Sequence, residues 1–243
     1  MKKVVIIGAT SAIAEAMGRQ FSDQKNELFL IGRQEAHLKI LSEDFSARSQ
    51  KPCQYYIFEA LQSAQFLQCL YAALDALASI DILVIAHGTL PDQKKCERNY
   101  QVAIEEFTVN ATSYIGLLTV FSAYFEKQGQ GNIIAFSSCA ADRGRPSNYL
   151  YGSAKAAITT FCAGLHLSLQ DKGVGVLIVK PGFVDTPMTK EFKKGLLWAK
   201  PESVSKKIIA AMINRKNVIY VPGFWRYIMV LIRLLPGMIV KRL

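Results

Sequence analysis

Apolar residues in this chain fall into short blocks separated by longer stretches of helical periodicity. Residues 4–7 (Val-Val-Ile-Ile) form an unbroken apolar run of β-branched residues, too short for a buried helix and suited to a strand covered on both faces. Runs of the same kind recur at 27–31, 54–58, 81–86, 132–138, 175–180 and 218–221. Between them, apolar positions spaced by three and four predict helices over about 12–24, 34–48, 64–78, 94–127, 149–172 and 201–214. Seven strands alternating with helices predict an α/β fold, a mostly parallel seven-stranded sheet with helices on both faces.

Composition supports one domain. A chain of 243 residues with 51% hydrophobic content can bury a full core, and no Gly/Ser/Pro-rich linker, low-complexity run or repeat divides it. The expected layout is a domain over 1–221 followed by a basic, apolar helical extension over 222–243. Five cysteines, an odd number with no Cys-x-x-Cys pair, predict free thiols and no metal site. Met1-Lys-Lys, Val4–Ile7 and Ala12-Ile-Ala14 imitate a secretion signal with its cleavage site. Cleavage there would remove the first strand, so a cytoplasmic protein is expected.

The net charge of +10 is unevenly placed: residues 1–189 carry 17 Lys+Arg against 17 Asp+Glu, and residues 190–243 carry 12 against 2. Such a concentration suits an anionic partner, whether lipid headgroups, a phosphorylated substrate or nucleic acid, or else a solvated face. No nucleic-acid reading module is recognisable, which argues against the last partner.

The candidate chemistry sits in Tyr151-Gly-Ser-Ala-Lys155, with Ser138 thirteen residues upstream at the end of a strand. Helical periodicity stacks Tyr151 and Lys155, at i and i+4, on one face. A phenol with a pKa near 10 is a poor acid or base at neutral pH. A neighbouring ammonium is expected to lower it toward the working range. Ser138 can donate a hydrogen bond to the substrate oxygen that Tyr151 protonates. Taken alone, a Tyr-x-x-x-Lys pair is more often an ordinary exposed helix pair, since such a motif matches by chance.

These residues, with the turn at Gly8, Asn110 in Val109-Asn110-Ala111 and the loop Pro181-Gly182-Phe-Val184-Asp-Thr186, resemble the short-chain dehydrogenase/reductase family. The resemblance covers most of the chain and implies a single-domain, doubly wound Rossmann fold. It also implies hydride transfer between a nicotinamide cofactor and a carbonyl or alcohol. It assigns Tyr151 as proton donor and Lys155 to the phenol and the nicotinamide ribose. Ser138 would polarise the carbonyl, and Asn110 would hold a proton relay. Gly8, Thr10, Ser11, Ala12 and Ile13 would cradle the pyrophosphate at a helix start. Glu59, Ala86, His87 and Gly88 would line the adenosine side, although a structural role suits His87 better. Pro181, Gly182, Val184 and Thr186 would hold the nicotinamide. Dimers or tetramers through the helices of Asn110 and Tyr151 are common in the family.

The chain departs from the family pattern in places. The second and third glycines of the loop are Ala12 and Ala14, whose methyls are expected to shift or weaken cofactor binding. The Asn-Asn-Ala-Gly motif is replaced by Ile85-Ala86-His87-Gly88. At the end of the second strand Gly32-Arg33 replaces the acid that accepts the ribose hydroxyls, which favours NADP(H) over NAD(H), NAD(H) remaining possible.

Arg143 and Arg145 could meet an acidic substrate or lie in a solvated loop, and residues 189–199 would form a substrate lid. In the tail, Arg226 and Arg233 share a helical face beside Trp, Phe and Leu, a pattern suited to an interfacial helix. A helix buried on a subunit partner or over the substrate pocket remains an equal reading. Both ends of the chain are also similar to reductases that act on a polyprenyl-phosphate-linked keto-sugar in decaprenylphosphoryl-ribose epimerisation, implying a hydrophobic or lipid-linked substrate. The alternative is a non-catalytic Rossmann-fold protein bound to a membrane or an anionic partner.

Overall fold

The computed structural model describes residues 1–241; Arg242 and Leu243, the end of the expected extension, lie outside the described residues. Strand β1 (Lys3–Ile7) lies in the interior of the sheet, where all but its first residue are apolar and fully enclosed. With β2 (Glu27–Gly32), β3 (Gln54–Ile57), β4 (Ile82–Ile85), β5 (Gly131–Phe136), β6 (Val174–Pro181) and β7 (Val218–Val221) it forms one sheet in the order β3-β2-β1-β4-β5-β6-β7. Every pairing is parallel, so the sheet is wholly rather than mostly parallel.

The two-residue side-chain period of a strand divides the core. Val4 and Ile6 face one layer, with Met17 and Phe21 of α1 (Ala12–Asp23), Phe45 of α2 (Glu35–Ser49) and Ile208 of α8 (Pro201–Ile213). Val5 and Ile7 face the other, with Ala73 of α3 (Gln65–Leu77), Phe121 of α6 (Ser113–Gln128) and Ile158 of α7 (Tyr149–Leu169). Each large side chain enclosed in this way stabilises the fold by roughly 1.5–3 kcal/mol.

The expected single helix over 94–127 is broken twice. Asn99 ends α4 (Gln93–Arg98) in an extended conformation and caps α5 (Tyr100–Phe107), its side chain accepting from the amides of Gln101 and Val102 at 3.0 and 3.3 Å. An Asn side chain competes for backbone groups, so it favours a cap over a helix interior. A π-helical turn, Thr108–Thr112, then joins α5 to α6.

The chain leaves β1 and turns outward to α1, while β4 lies on the opposite side of β1 from β2, so a crevice opens at the carboxyl ends of the strands. Gly8 makes this possible. Its φ is +78°, and an added Cβ would lie 2.3 Å from the backbone nitrogen of His87. The chain ends in α9 (Trp225–Leu234) and α10 (Gly237–Val240).

Candidate active site

Ser138 stands just beyond β5 and caps a short 3-10 turn, Cys139–Asp142, its hydroxyl accepting from the Ala140 amide at 3.1 Å. Gly152 lets the first turn of α7 lie against that segment, since an added Cβ would be 2.8 Å from the Ala140 carbonyl oxygen. Tyr151, its neighbour on α7, thereby meets the Ser138 hydroxyl. One turn further, the Lys155 ammonium donates to the Phe136 carbonyl at 3.1 Å and lies 4.5 Å from the Tyr114 ring centre and 5.8 Å from that of Tyr151. Its backbone carbonyl accepts from Ser137 and Thr159, both at 2.9 Å, which pins the helix to β5.

Burial sets the protonation states here. Lys155 is only 3% exposed, and loss of hydration lowers its pKa to about 7. The same desolvation pushes Tyr151 up to about 12, against a smaller downward pull from the Ser138 hydrogen bond. The expectation of a lowered phenol is therefore corrected: at neutral pH the phenol is held protonated, and the amine titrates.

Asn110, 1% exposed, lies in the π-helical turn. Its side chain donates to the Glu106 carbonyl at 3.0 Å and the Thr89 hydroxyl at 2.8 Å, and accepts from the Thr89 amide at 3.0 Å. Gly88 brings the backbone between the two helices: an added Cβ would be 2.8 Å from Asn110 Oδ1 and 3.5 Å from Lys155 Nζ. The four residues expected to carry chemistry thus converge at the carboxyl ends of β4 and β5. A cavity of about 460 Å³, lined by Gly88, Thr89, Glu106 and Met188 among others, opens beside them.

The residues expected around a dinucleotide line the same edge. Thr10, Ser11 and Ala12 are partly exposed at the start of α1, and the Ser11 side chain makes no cap bond, which leaves the first helical amides without that partner. Ile13 and Ala14 are buried. Ala14 is fully buried in the core between α1 and the sheet, whereas Ala12 is partly exposed. Arg33 and Glu59 are exposed beyond β2 and β3, and Arg33 makes no ion pair among the described residues. Ala86 continues β4 by donating to the Ile7 carbonyl at 2.8 Å.

His87 is held as a structural group. It stacks on Tyr114 at 4.3 Å, and its Nε2 meets the Ser113 hydroxyl at 2.8 Å. Because Ser113 donates to the Val109 carbonyl, Nε2 carries the proton; burial, helped by the Lys155 charge, lowers the ring's pKa to about 3. After β6, Val184 is buried and bridges Ala199, while Thr186 caps a 3-10 turn, so both ends of the expected lid are tied down. Pro181 pairs with Val221, and Gly182 lies under the Trp225 indole, where an added Cβ would be 2.1 Å from Nε1.

Some members of the site were not foreseen. Thr89 and Glu106 share a hydrogen bond, and Tyr114 donates to the His87 carbonyl at 2.6 Å. The one available signal was spacing: Tyr114 is four residues after Asn110, on the same helical face. Behind Ser138, Asp142 bonds Lys180 at 2.5 Å and Tyr220 at 2.7 Å, with side chains of the ion pair almost enclosed. Lys180 and Tyr220 are register partners on β6 and β7, which pattern alone did not reveal.

Residues 2–196 match the family model described as short chain dehydrogenase. The chain belongs to the short-chain dehydrogenase family, a family of oxidoreductases. Family relatives include an uncharacterised oxidoreductase of Mycobacterium tuberculosis, 36% identical over 164 residues, 68% of this chain and 66% of that one. This chain therefore spans about two thirds of that relative's length. Another, from Streptomyces coelicolor, is 28% identical over 243 residues, all of this chain and 96% of that one. The short-chain dehydrogenase fold also superposes, at a TM-score of 0.79, on a variant of actinorhodin polyketide ketoreductase solved with NADPH, 18% identical over 92% of this chain and 97% of that one. An alcohol dehydrogenase from Thermococcus sibiricus complexed with 5-hydroxy-NADP gives the same score at 19% identity, over 90% and 95% of the two chains.

Proposed function

We propose that the protein is an NADP(H)-dependent reductase of a carbonyl group on a hydrophobic or lipid-linked substrate. The observation that carries this is the convergence of part-buried Ser138 and Tyr151 with buried Lys155 and Asn110 at the crevice, the phenol protonated and the amine titrating near neutrality. The residues present suit a dinucleotide: the amides opening α1 are not capped by Ser11, and Lys155 makes no ion pair among the described residues. Gly8, Thr10, Ser11, Ala12 and Ile13 would hold its phosphates, with Glu59, Ala86, His87 and Gly88 on the adenosine side. Arg33 would meet a 2′-phosphate, which favours NADP(H). Lys155 would bond the nicotinamide ribose, and Pro181, Gly182, Val184 and Thr186 would hold the carboxamide. When bound, the cofactor supplies the hydride.

The chain's own part is proton transfer and positioning. Ser138 Oγ accepts from Ala140, so its one proton is directed to the Tyr151 side, where its hydrogen bond would pass from the phenol oxygen to a bound substrate oxygen. Tyr151 donates its proton to that same oxygen. Lys155, with a pKa of about 7, stabilises the resulting phenolate when charged and returns a proton to it. Asn110 holds the turn through which that proton is replaced. Homodimers or homotetramers belong to the same reading; Tyr100 and Ile104 on α5 and Leu167 on α7 leave apolar surface open on those helices. So does a cytoplasmic protein with a peripheral lipid contact. A non-catalytic protein is not favoured, since the catalytic set is intact.

Replacing Tyr151 by Phe tests this. NADPH oxidation in the presence of carbonyl substrates, lipid-linked sugars included, is expected to fall by about 10²–10⁴-fold, the usual weight of a general acid. Undiminished turnover would remove Tyr151 as the proton donor.

A further inference from the structure

Helix α9 has two apolar arcs, and the fold uses one. Trp225, Ile228, Met229 and Ile232 pack on Phe183, Tyr220 and Cys139, which is next to Ser138 in the chain. The opposite arc, Tyr227, Val230, Leu231 and Leu234, steps at i, i+3, i+4 and i+7 and lies open to solvent, with Tyr227 76%, Leu231 62% and Leu234 77% exposed. Met238 and Ile239 on α10 continue it. At 100° per residue, Arg226 and Arg233 fall together on one flank, between the covered arc and the open one. Neither makes an ion pair among the described residues.

The lid adds to this rim. Phe183 stacks on Trp198 at 5.2 Å and meets Trp225 edge-on at 5.0 Å, so one ring joins the end of the lid to the start of α9. Beside Trp198, Leu196 is fully exposed, and Phe192 is half exposed. Lys190, Lys193 and Lys194 lie on the same segment, Lys190 paired with Glu191 at 3.7 Å and Lys194 with Asp185 at 2.6 Å, which leaves Lys193 without an ion pair among the described residues.

We infer that the open arc of α9, with α10 and the lid tip, is a docking surface for an anionic lipid bilayer. Apolar side chains enter the acyl boundary, and Arg226 and Arg233 lie level with the headgroups. Charge selects this occupant over a second copy of the chain. A two-fold contact would set the same arginines against each other, and α9 and α10 carry no carboxylate to offset them. No helix among the described residues is long and apolar enough to cross a membrane, so the contact is peripheral. Met188, which lines the cavity, directly precedes the lid segment, so a carbonyl held on a lipid could reach the site from the bilayer. That consequence rests on the reductase reading; the docking itself rests on the surface alone.

The test is sedimentation of the whole protein with vesicles of phosphatidylcholine, with and without phosphatidylglycerol. Binding is expected on the anionic vesicles, with little on neutral ones and a decline as salt is raised. Leu231→Gln with Leu234→Gln should abolish it. Arg226→Gln with Arg233→Gln should weaken it about fivefold per arginine. Thermal melting verifies that both variants are folded, and NADPH binding measured separately distinguishes failure of docking from failure of the reductase reading. The proposal is overturned by absence from anionic vesicles or by undiminished binding of the leucine variant. Self-association that the leucine changes abolish, without vesicle binding, would assign the surface to a second copy instead.

Discussion

Lys155→Met should flatten the rise of stability with pH. In the folded chain the amine has a pKa of about 7, against an ordinary 10.5, because burial removes its hydration. Between those values the unfolded chain holds a proton that the native chain has released, so stability rises with pH, by up to about 1.4 kcal/mol per unit. From about pH 7 to about pH 8.5 the gain is about 1–2 kcal/mol, allowing for the half-titrated state at the lower end. Neighbouring groups leave this window clear. His87, lowered to about 3, contributes in the same direction but only up to its unfolded value near 6.5. Cys53, Cys69, Cys139 and Cys162, raised from 9.0 to about 12, act in the opposite direction, mainly above the window, and their share within it is the same in both proteins and cancels in the difference. Methionine fills the same volume and cannot titrate. Its loss of the bond to the Phe136 carbonyl costs the same at every pH. Urea midpoints at several pH values check the difference, and equal slopes in the two proteins would refute the assignment of burial as the dominant influence on Lys155.

Arg33→Ser should raise the dissociation constant for NADPH about 10–100-fold, the weight of one charge-assisted bond, and leave NADH unchanged; fluorescence titration with both cofactors reads this. Asp142→Asn leaves the Lys180 ammonium enclosed without its counter-charge and should cost about 3–5 kcal/mol in denaturant unfolding, whereas Asp142→Asn with Lys180→Met should recover much of it.

The sheet was legible because the pattern of its strands is nearly all that determines them. Val4 to Ile7 is too short and too β-branched for a buried helix and so reads as a strand buried on both faces, and the Tyr151–Lys155 spacing needed only a helix to become a stacked pair. The break at Asn99 was less visible, since a cap is settled by where the Asn side chain finds amides, and apolar periodicity runs on through it. The Asp142–Lys180–Tyr220 cluster was hidden for a different reason. Its members are 38 and 78 residues apart, and only the register of β6 on β7 brings them together. Ala14 shows a third limit, because whether a methyl faces a ligand or a sheet depends on the depth of its helix turn, which spacing does not record.

The polarity of the site has one physical origin. A phenol and an amine placed one helical turn apart could have formed a phenolate–ammonium pair, each favouring the other's charge. Desolvation instead favours the neutral form of both, and so raises Tyr151 to about 12 while lowering Lys155 to about 7. Donation by the phenol is therefore ready at neutral pH, whereas its use as a base requires an ionisation that is rare there. With a pKa of about 12, the phenolate fraction at pH 8 is on the order of 10⁻⁴ and grows tenfold per unit. Alcohol oxidation should accordingly rise steeply with pH across the neutral and mildly alkaline range, whereas carbonyl reduction should show no such rise. Initial rates in both directions, measured over the same buffers, check this. An oxidation rate independent of pH would mean that the phenol is not the group whose proton limits the reaction, and that burial does not set the direction in which this site works best.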